Sequence, residues 1–165
     1  MADESRPTFM VDVSGHPQKV IIHGRANFLN CSPLRTFFRK MFDHGEREFL
    51  LDFSDCTGMD STFLGILAGA ALEVQRASPK GELQLSGLDD RNLELVKNLG
   101  LQRIVTILSK SVAVDELDAK GLVGEIQTEE QKKEMLIGAH EDLVKVDDSN
   151  LNKFEDLLTF LRNED

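Results

Sequence analysis

Hydrophobic and polar positions follow two different periods along the chain. Short apolar runs bounded by turn residues predict β-strands, whereas apolar positions recurring every three to four residues predict helices. The expected strands are 8–13, 19–24, 48–53, 82–86 and 103–108, and the expected helices are about 32–42, 60–77 and 89–99. Two strands followed by alternating helices and strands predict an α/β fold with a mixed, mostly parallel sheet.

Residues at the predicted helix ends support these assignments. Ser32 with Pro33 suits the start of a helix, because the first turn leaves its amides unpaired in any case. Asp89 with Asp90 is typical of an N-terminal cap, and Gly100 is placed as a C-terminal stop.

The helix after Asp60 carries unusually small residues. Gly65, Gly69 and Ala70 lie among its apolar positions. Because a glycine inside a helix costs up to about 1 kcal/mol relative to alanine, the two glycines indicate that another element packs closely here.

Beyond about residue 119 the pattern changes to two acidic helical segments. Thr128 and Gln131 match the ends of a capping box. Residues 147–150 then separate an apolar stripe at 135–143 from a second one at 151–161. We therefore expect a domain at 1–118 and an acidic helical extension at 119–165, forming a hairpin that buries its stripes against the core, each other or a partner.

Charge and composition narrow the classes of function. Residues 128–165 hold 11 acidic and five basic side chains and so contribute −6 to the net charge of −10. This balance disfavours nucleic acids and anionic membrane surfaces as partners. The start of the chain lacks a signal-peptide pattern and no apolar run is long enough for membrane insertion, so we expect a cytoplasmic protein. Cys31 and Cys56 are expected to be reduced thiols.

Enzyme signatures are scarce. The chain contains no nucleophile-elbow, dinucleotide-binding or Walker-type motif. Its four histidines have no metal-ligand spacing, and Asp52, Asp55 and Asp60 fit no calcium loop. A hydrolase using Ser61 or Cys56 as nucleophile remains an alternative, although no histidine is tied to either by a motif. We expect no enzymatic activity, no metal site and no cofactor.

The stretch 52–62 (Asp-Phe-Ser-Asp-Cys-Thr-Gly-Met-Asp-Ser-Thr) joins an apolar strand to a helix start. It resembles the STAS domain, specifically the bacterial anti-sigma factor antagonists, in which a strand ends in Asp, a short loop follows and Asp-Ser opens a helix at a phosphorylated site. Two other segments agree. Residues 24–27 lie where the family has Gly-x-x-Asp, and residues 99–104 are similar to its Leu-x-Gly-Leu segment. The resemblance covers about residues 8–118 and implies a STAS-type sheet with helices packed mainly on one face.

The resemblance implies which residues form the site. Ser61 is the expected phosphoacceptor, with Thr62 as second choice, and the partner-binding residues are expected to be Gly24, Asn27, Asp60, Thr62 and Phe63. The sequence departs from the family at two of these positions. Phe63 stands where a glycine is frequent, and Asn27 stands where an acid is usual.

The position of Ser61 also suits a switch on physical grounds. A helix start presents unpaired amides and a partial positive charge, which stabilise a phosphate. A phosphate adds about −1.5 to −2 charges, which would lie beside Asp60 and repel a docked partner. The simpler interpretation is that Asp60 or Ser61 only caps the helix, which contributes about 1 kcal/mol.

By resemblance, the expected function is that of an anti-sigma factor antagonist acting by partner switching. Its expected partners are an anti-sigma factor serine kinase of the ATPase type, which modifies Ser61, and a PP2C-like phosphatase, which restores it. The alternative is a non-phosphorylated STAS scaffold, or a subunit of a sensory or lipid-transport complex. The acidic hairpin leaves homodimerisation open as well.

Overall fold

The computed structural model describes residues 6–112 and 114–163 and has an α/β architecture. The strands are β1 (Phe9–Asp12), β2 (Gln18–Ala26), β3 (Glu48–Met59), β4 (Glu82–Ser86), β5 (Thr106–Ile107) and β6 (Lys120–Gly121). The helices are α1 (Ser32–Asp43), α2 (Ser61–Arg76), α3 (Asp90–Asn98), α4 (Glu129–Val146) and α5 (Asn150–Asn163), with a 3-10 turn at Leu101–Arg103.

The strands form one six-stranded sheet in the order β5-β4-β3-β2-β1-β6. β2, β3, β4 and β5 pair in parallel, whereas β1 is antiparallel to both β2 and β6. The prediction of a mixed, mostly parallel sheet with a C-terminal helical hairpin is therefore confirmed.

The core lies where the helices cover the sheet. The alternate β3 residues Phe49, Leu51 and Phe53 are fully or almost fully buried, as a strand in the middle of a sheet requires. Phe38 of α1 meets Phe49 edge to face, with 5.2 Å between the ring centroids.

The structure corrects the end of the third strand. Residues 54–59 were expected to form a loop, but β3 continues to Met59 because they remain paired with β2. The pairing persists through two register shifts, one on each side of His23–Gly24. Only Asp60 separates β3 from α2.

The strand expected at 103–108 is also corrected, since β5 contains only Thr106 and Ile107. Gly100 adopts a left-handed conformation (φ 77°) and leads into the 3-10 turn, which includes Arg103. The amides of Ile104 and Val105 then donate back to the Leu101 carbonyl and not to a neighbouring strand.

The chain then crosses the molecule from β5 to the opposite edge. We call the described residues of this segment, 108–112 and 114–119, the strap. It is fastened by a hydrogen bond from the Leu108 amide to the Leu85 carbonyl (2.9 Å) and by contact of the Ser111 and Ser54 hydroxyls (3.3 Å). Glu116 approaches His23 Nε2 at 2.7 Å, with angles outside hydrogen-bond geometry. The strap ends at β6, which the sequence analysis did not predict.

The C-terminal hairpin, α4 with α5, packs on α2 as a further layer. Ala139 and Asp142 of α4 lie directly over Gly65 and Gly69, so these two glycines let the helices approach closely. Asn150 fastens the start of α5, because its buried side-chain amide donates to the carbonyls of Leu99 (2.9 Å) and Leu143 (2.8 Å).

Candidate functional site

Asp60 organises the site between β3 and α2. Its backbone is extended (φ −111°, ψ 176°), and its side chain caps α2 by accepting the Phe63 amide at 2.9 Å. The second carboxylate oxygen accepts the Phe28 amide at 2.9 Å. A single side chain therefore fixes both the helix start and the neighbouring loop, residues 27–30.

Ser61 is the first residue of α2 and is only half-buried. Its Oγ lies 2.8 Å from Nε2 of His140 on α4. The other ring nitrogen, Nδ1, lies 2.7 Å from the Leu136 carbonyl. Because a carbonyl only accepts, Nδ1 carries the proton, and in the neutral imidazole the Ser61 hydroxyl donates to Nε2.

His140 is itself enclosed within the hairpin. It is 1% exposed, and its ring meets Phe154 of α5 edge to face at a centroid distance of 4.9 Å. The hairpin thus lies over the Ser61 hydroxyl and is joined to it by a hydrogen bond.

The two residues after Ser61 point into the core. Thr62 and Phe63 are 3% and 0% exposed. The Phe63 ring stacks on Phe9 at 6.0 Å and meets Phe53 at 6.2 Å. In this fold Phe63 holds α2 on the sheet and does not reach the surface.

Gly24 and Asn27 shape the backbone beside the site. Gly24 is left-handed (φ 75°) where the pairing of β2 with β3 shifts, which favours glycine although the space around it is open. The Asn27 side chain accepts the Leu29 amide at 2.9 Å, and its carbonyl accepts the Asn30 and Cys31 amides. Asn27 therefore stabilises loop 27–30 in place of the usual acid.

A family model described as "Mlab, STAS domain" matches residues 9–108, which is more than half of the chain. The chain belongs to the STAS domain family. Its match runs from β1 to just beyond β5, and so takes in Asp60 and Ser61 but not His140.

Two solved structures of proteins named SpoIIAA have the same fold as the STAS domain of this chain. The anti-sigma factor antagonist SpoIIAA in its unphosphorylated form is 14% identical with a TM-score of 0.52, covering 62% of this chain and 89% of that one. The Bacillus cell fate determinant SpoIIAA in the phosphorylated form is 14% identical with a TM-score of 0.51, covering 61% and 91%. No curated protein matches the sequence.

Two features of the STAS site were missed from sequence. Phe28 and Leu29 of loop 27–30 are 51% and 79% exposed, which is unusual for adjacent large apolar residues. A signal existed, because this apolar pair lies within five positions of the end of the strand predicted at 19–24. His140 gave no such signal, since it lies 79 positions from Ser61 within a helical stripe.

The acidic residues around the STAS site do not converge. Asp52 accepts from Ser54, and Asp55 lies 3.4 Å from His23, whereas Asp60 binds backbone amides. Among residues 6–112 and 114–163, no group of three His, Cys, Asp or Glu side chains is arranged to hold a metal ion. Over the same residues, no helix combines the length and apolar character needed to cross a membrane.

Both cysteines are buried and free. Burial, together with the nearby Asp60 carboxylate, raises the pKa of Cys31 to about 12. Burial also raises the pKa of Cys56 to about 11. Because the thiolate is the nucleophilic form, neither cysteine is suited to nucleophilic chemistry near neutral pH.

Proposed function

We propose that this protein is an anti-sigma factor antagonist that acts by partner switching, with Ser61 as its phosphoacceptor. The observation that carries the proposal is the position of Ser61 at the first residue of α2, directly after Asp60, whose carboxylate accepts the amide of the exposed Phe28. The unmodified surface binds an anti-sigma factor kinase of the ATPase type. A PP2C-like phosphatase reverses the modification.

Phosphate chemistry explains how the switch would work. A phosphate on Ser61 adds about −1.5 to −2 charges, and the first turn of α2 contains no acidic residue to oppose it. The Asp60 carboxylate, however, lies immediately before it and faces loop 27–30 through the Phe28 amide. A partner docked on Phe28 and Leu29 would then meet two adjacent negative groups, so its complex weakens.

The partner surface we propose consists of Gly24, Asn27 and Asp60 together with Phe28 and Leu29. Gly24 and Asn27 act by holding the backbone, whereas Phe28 and Leu29 supply exposed apolar area. Because Thr62 and Phe63 are buried, they would contribute to binding only by supporting α2. For the same reason Thr62 is a poorer phosphoacceptor than Ser61.

Phosphorylation of the full-length chain by its cognate kinase and ATP tests the proposal. Mass spectrometry is expected to place one phosphate on Ser61, and Ser61→Ala is expected to abolish it. Thr62→Val is the matched control, because it removes the neighbouring hydroxyl while keeping the shape of a buried side chain. A label that persists in Ser61→Ala and disappears in Thr62→Val would contradict the assignment.

A hydrolytic role is the second candidate, because the Ser61–His140 hydrogen bond has the geometry of a nucleophile with its base. Two features weigh against it. His140 is oriented by a backbone carbonyl and not by a carboxylate, and α4 lies over the hydroxyl that a substrate would have to reach. We therefore propose no catalytic role, and expect Ser61 to stay unlabelled by a serine-directed fluorophosphonate probe.

A STAS scaffold that is never phosphorylated is the third candidate, including a subunit of a sensory or lipid-transport complex. The hydrogen bond that engages Ser61 within the hairpin favours it. Capture of a partner separates the two roles. Partner switching requires that Ser61→Asp releases the partner, whereas a scaffold would bind equally well with either residue.

A further inference from the structure

The hairpin occupies the face of α2 that begins at Ser61. Gly65 and Gly69 lie one and two turns further along and face Ala139 and Asp142. A methyl group added at Gly65 would overlap the Ala139 backbone and lie only 2.7 Å from its Cβ. The fit of α4 against α2 therefore depends on these glycines.

The hydroxyl of Ser61 is occupied in this arrangement. It donates to His140 Nε2 at 2.8 Å, and His140 is buried against Phe154. Transfer of a phosphoryl group to Oγ needs the donor aligned with that oxygen and a free path to it. His140 engages the oxygen, and α4 restricts the approach from its side of the half-buried Ser61.

Two features of the hairpin favour its opening, although Asn150 ties the start of α5 to Leu99. The interface contains Asp142, a half-buried acid whose pKa is raised by desolvation, so docking carries an electrostatic cost. Residues 122–127, which join β6 to α4, form no regular secondary structure. Within them Val123 and Ile126 are 92% and 98% exposed. The hairpin can therefore leave α2 without breaking the sheet.

We infer that the C-terminal hairpin is an intramolecular cover that gates Ser61, with His140 as the residue that holds the hydroxyl. The chain exchanges between a covered form and an open form, and the kinase modifies only the open form. The gating of phosphorylation rests on the proposed function, but the opening of the hairpin does not. The two are therefore tested by separate measurements.

The first measurement is native-state hydrogen exchange of the full chain over a range of urea concentrations. In the unsubstituted protein, amides of α4 are expected to exchange through a partial opening that depends less steeply on urea than global unfolding does, because it exposes less surface, whereas β3 exchanges only through global unfolding. In Gly65→Ala, exchange in α4 is expected to rise by roughly tenfold, because the overpacked methyl opposes docking. If α4 and β3 exchange only through the same global unfolding in both proteins, the inference that the hairpin opens on its own is contradicted.

The control is Gly69→Ala, which makes the same change one turn along α2. Its added methyl meets only the end of the Asp142 side chain, which can rotate, so a smaller rise is expected. A second variant, His140→Ala, removes the hydrogen bond from the hairpin and leaves α2 unchanged. It keeps the test decisive if Gly65→Ala folds poorly, and a similar rise in α4 exchange is expected.

The second measurement is the initial rate of Ser61 phosphorylation by the cognate kinase. It is expected to rise in Gly65→Ala and His140→Ala in proportion to the opening measured by exchange. Equal rates in all variants, despite faster opening, would overturn the gating and leave the phosphoacceptor assignment standing. Opening without phosphate on any variant would overturn the proposed function, and with it the gating.

Discussion

At the scale of single residues, Asp60 connects the elements of the site through three hydrogen bonds. One carboxylate oxygen caps α2 through Phe63 and the other holds loop 27–30 through Phe28. The backbone adds a third tie, because the Asp60 amide donates to the Ala26 carbonyl at 3.2 Å. Strand, loop and helix therefore meet at one residue.

We expect Asp60→Ala to lower the free energy of unfolding by about 1–2 kcal/mol, because both side-chain acceptors are lost. Asp89→Ala is the matched control, since Asp89 caps α3 through the Asn92 amide alone, and it should cost about 1 kcal/mol. Urea unfolding followed by circular dichroism gives both values. An equal cost for the two variants would indicate that the contact with Phe28 contributes nothing.

Residues with short-range partners were predictable from sequence. Asp60 and Asp89 as caps, Gly100 as a stop, and the capping box of Thr128 and Gln131 are all confirmed, because each partner lies within a few positions. His140 was not predictable, since its role depends on how two distant helices pack. Nothing in its neighbourhood distinguishes it from a surface histidine.

At the scale of elements, the pairing of α4 with α2 is the most informative. The two glycines of α2 indicated a close neighbour, and that neighbour proved to be a helix from the C-terminal extension.

The predicted ends of two strands were wrong, each for a local reason. The run 103–108 is apolar enough for a strand, but the turn after Gly100 uses its first residues. Residues 54–59 contain no apolar run, so the sequence did not indicate that the pairing of β3 with β2 continues through them.

Asp142 makes the docking of α4 depend on pH. Burial raises its pKa above the ordinary 3.8, so its protonated form is favoured in the folded state. The contribution of protonated Asp142 to the free energy of unfolding is fully present below pH 3.8 and is lost as pH rises through the raised pKa. We therefore expect Asp142→Asn, which does not titrate, to gain stability relative to the unsubstituted protein as pH rises.

Urea unfolding at several pH values checks this expectation. The difference in unfolding free energy between Asp142→Asn and the unsubstituted chain should grow above pH 3.8 and level off towards neutrality. Loss of the half-exposed contact with Lys145, at 3.6 Å, should matter little. A difference that stays flat with pH would contradict a desolvated Asp142.

At the scale of the whole molecule, α2 is the central layer, with the sheet on one side and the hairpin on the other. Ten of its 13 residues from Thr62 to Val74 are buried, as in a helix that packs against other elements on most of its sides. The general α/β plan followed from the order of apolar patterns, but this third layer depended on tertiary packing. The family match ends at residue 108 and so does not include it.

Removing the hairpin should expose the largely apolar face of α2 that begins at Ser61 and contains Gly65 and Gly69. We expect a chain ending at residue 127 to self-associate at concentrations where the full chain does not, because the uncovered apolar area favours burial. Sedimentation velocity of the two chains tests this. A truncated chain that sediments as a monomer would indicate that α2 tolerates exposure to solvent.

The strap has a further consequence for how this protein meets others. It leads to β6, which pairs with Met10 and Val11, so half of the side of β1 that faces away from β2 is already paired. At the opposite margin β5 offers only two residues. Sheet margins this short are poor templates for a foreign strand. Association by strand addition, the route to many unintended aggregates, is therefore disfavoured. The surfaces left for binding other proteins are loop 27–30 and the exposed sides of the helices.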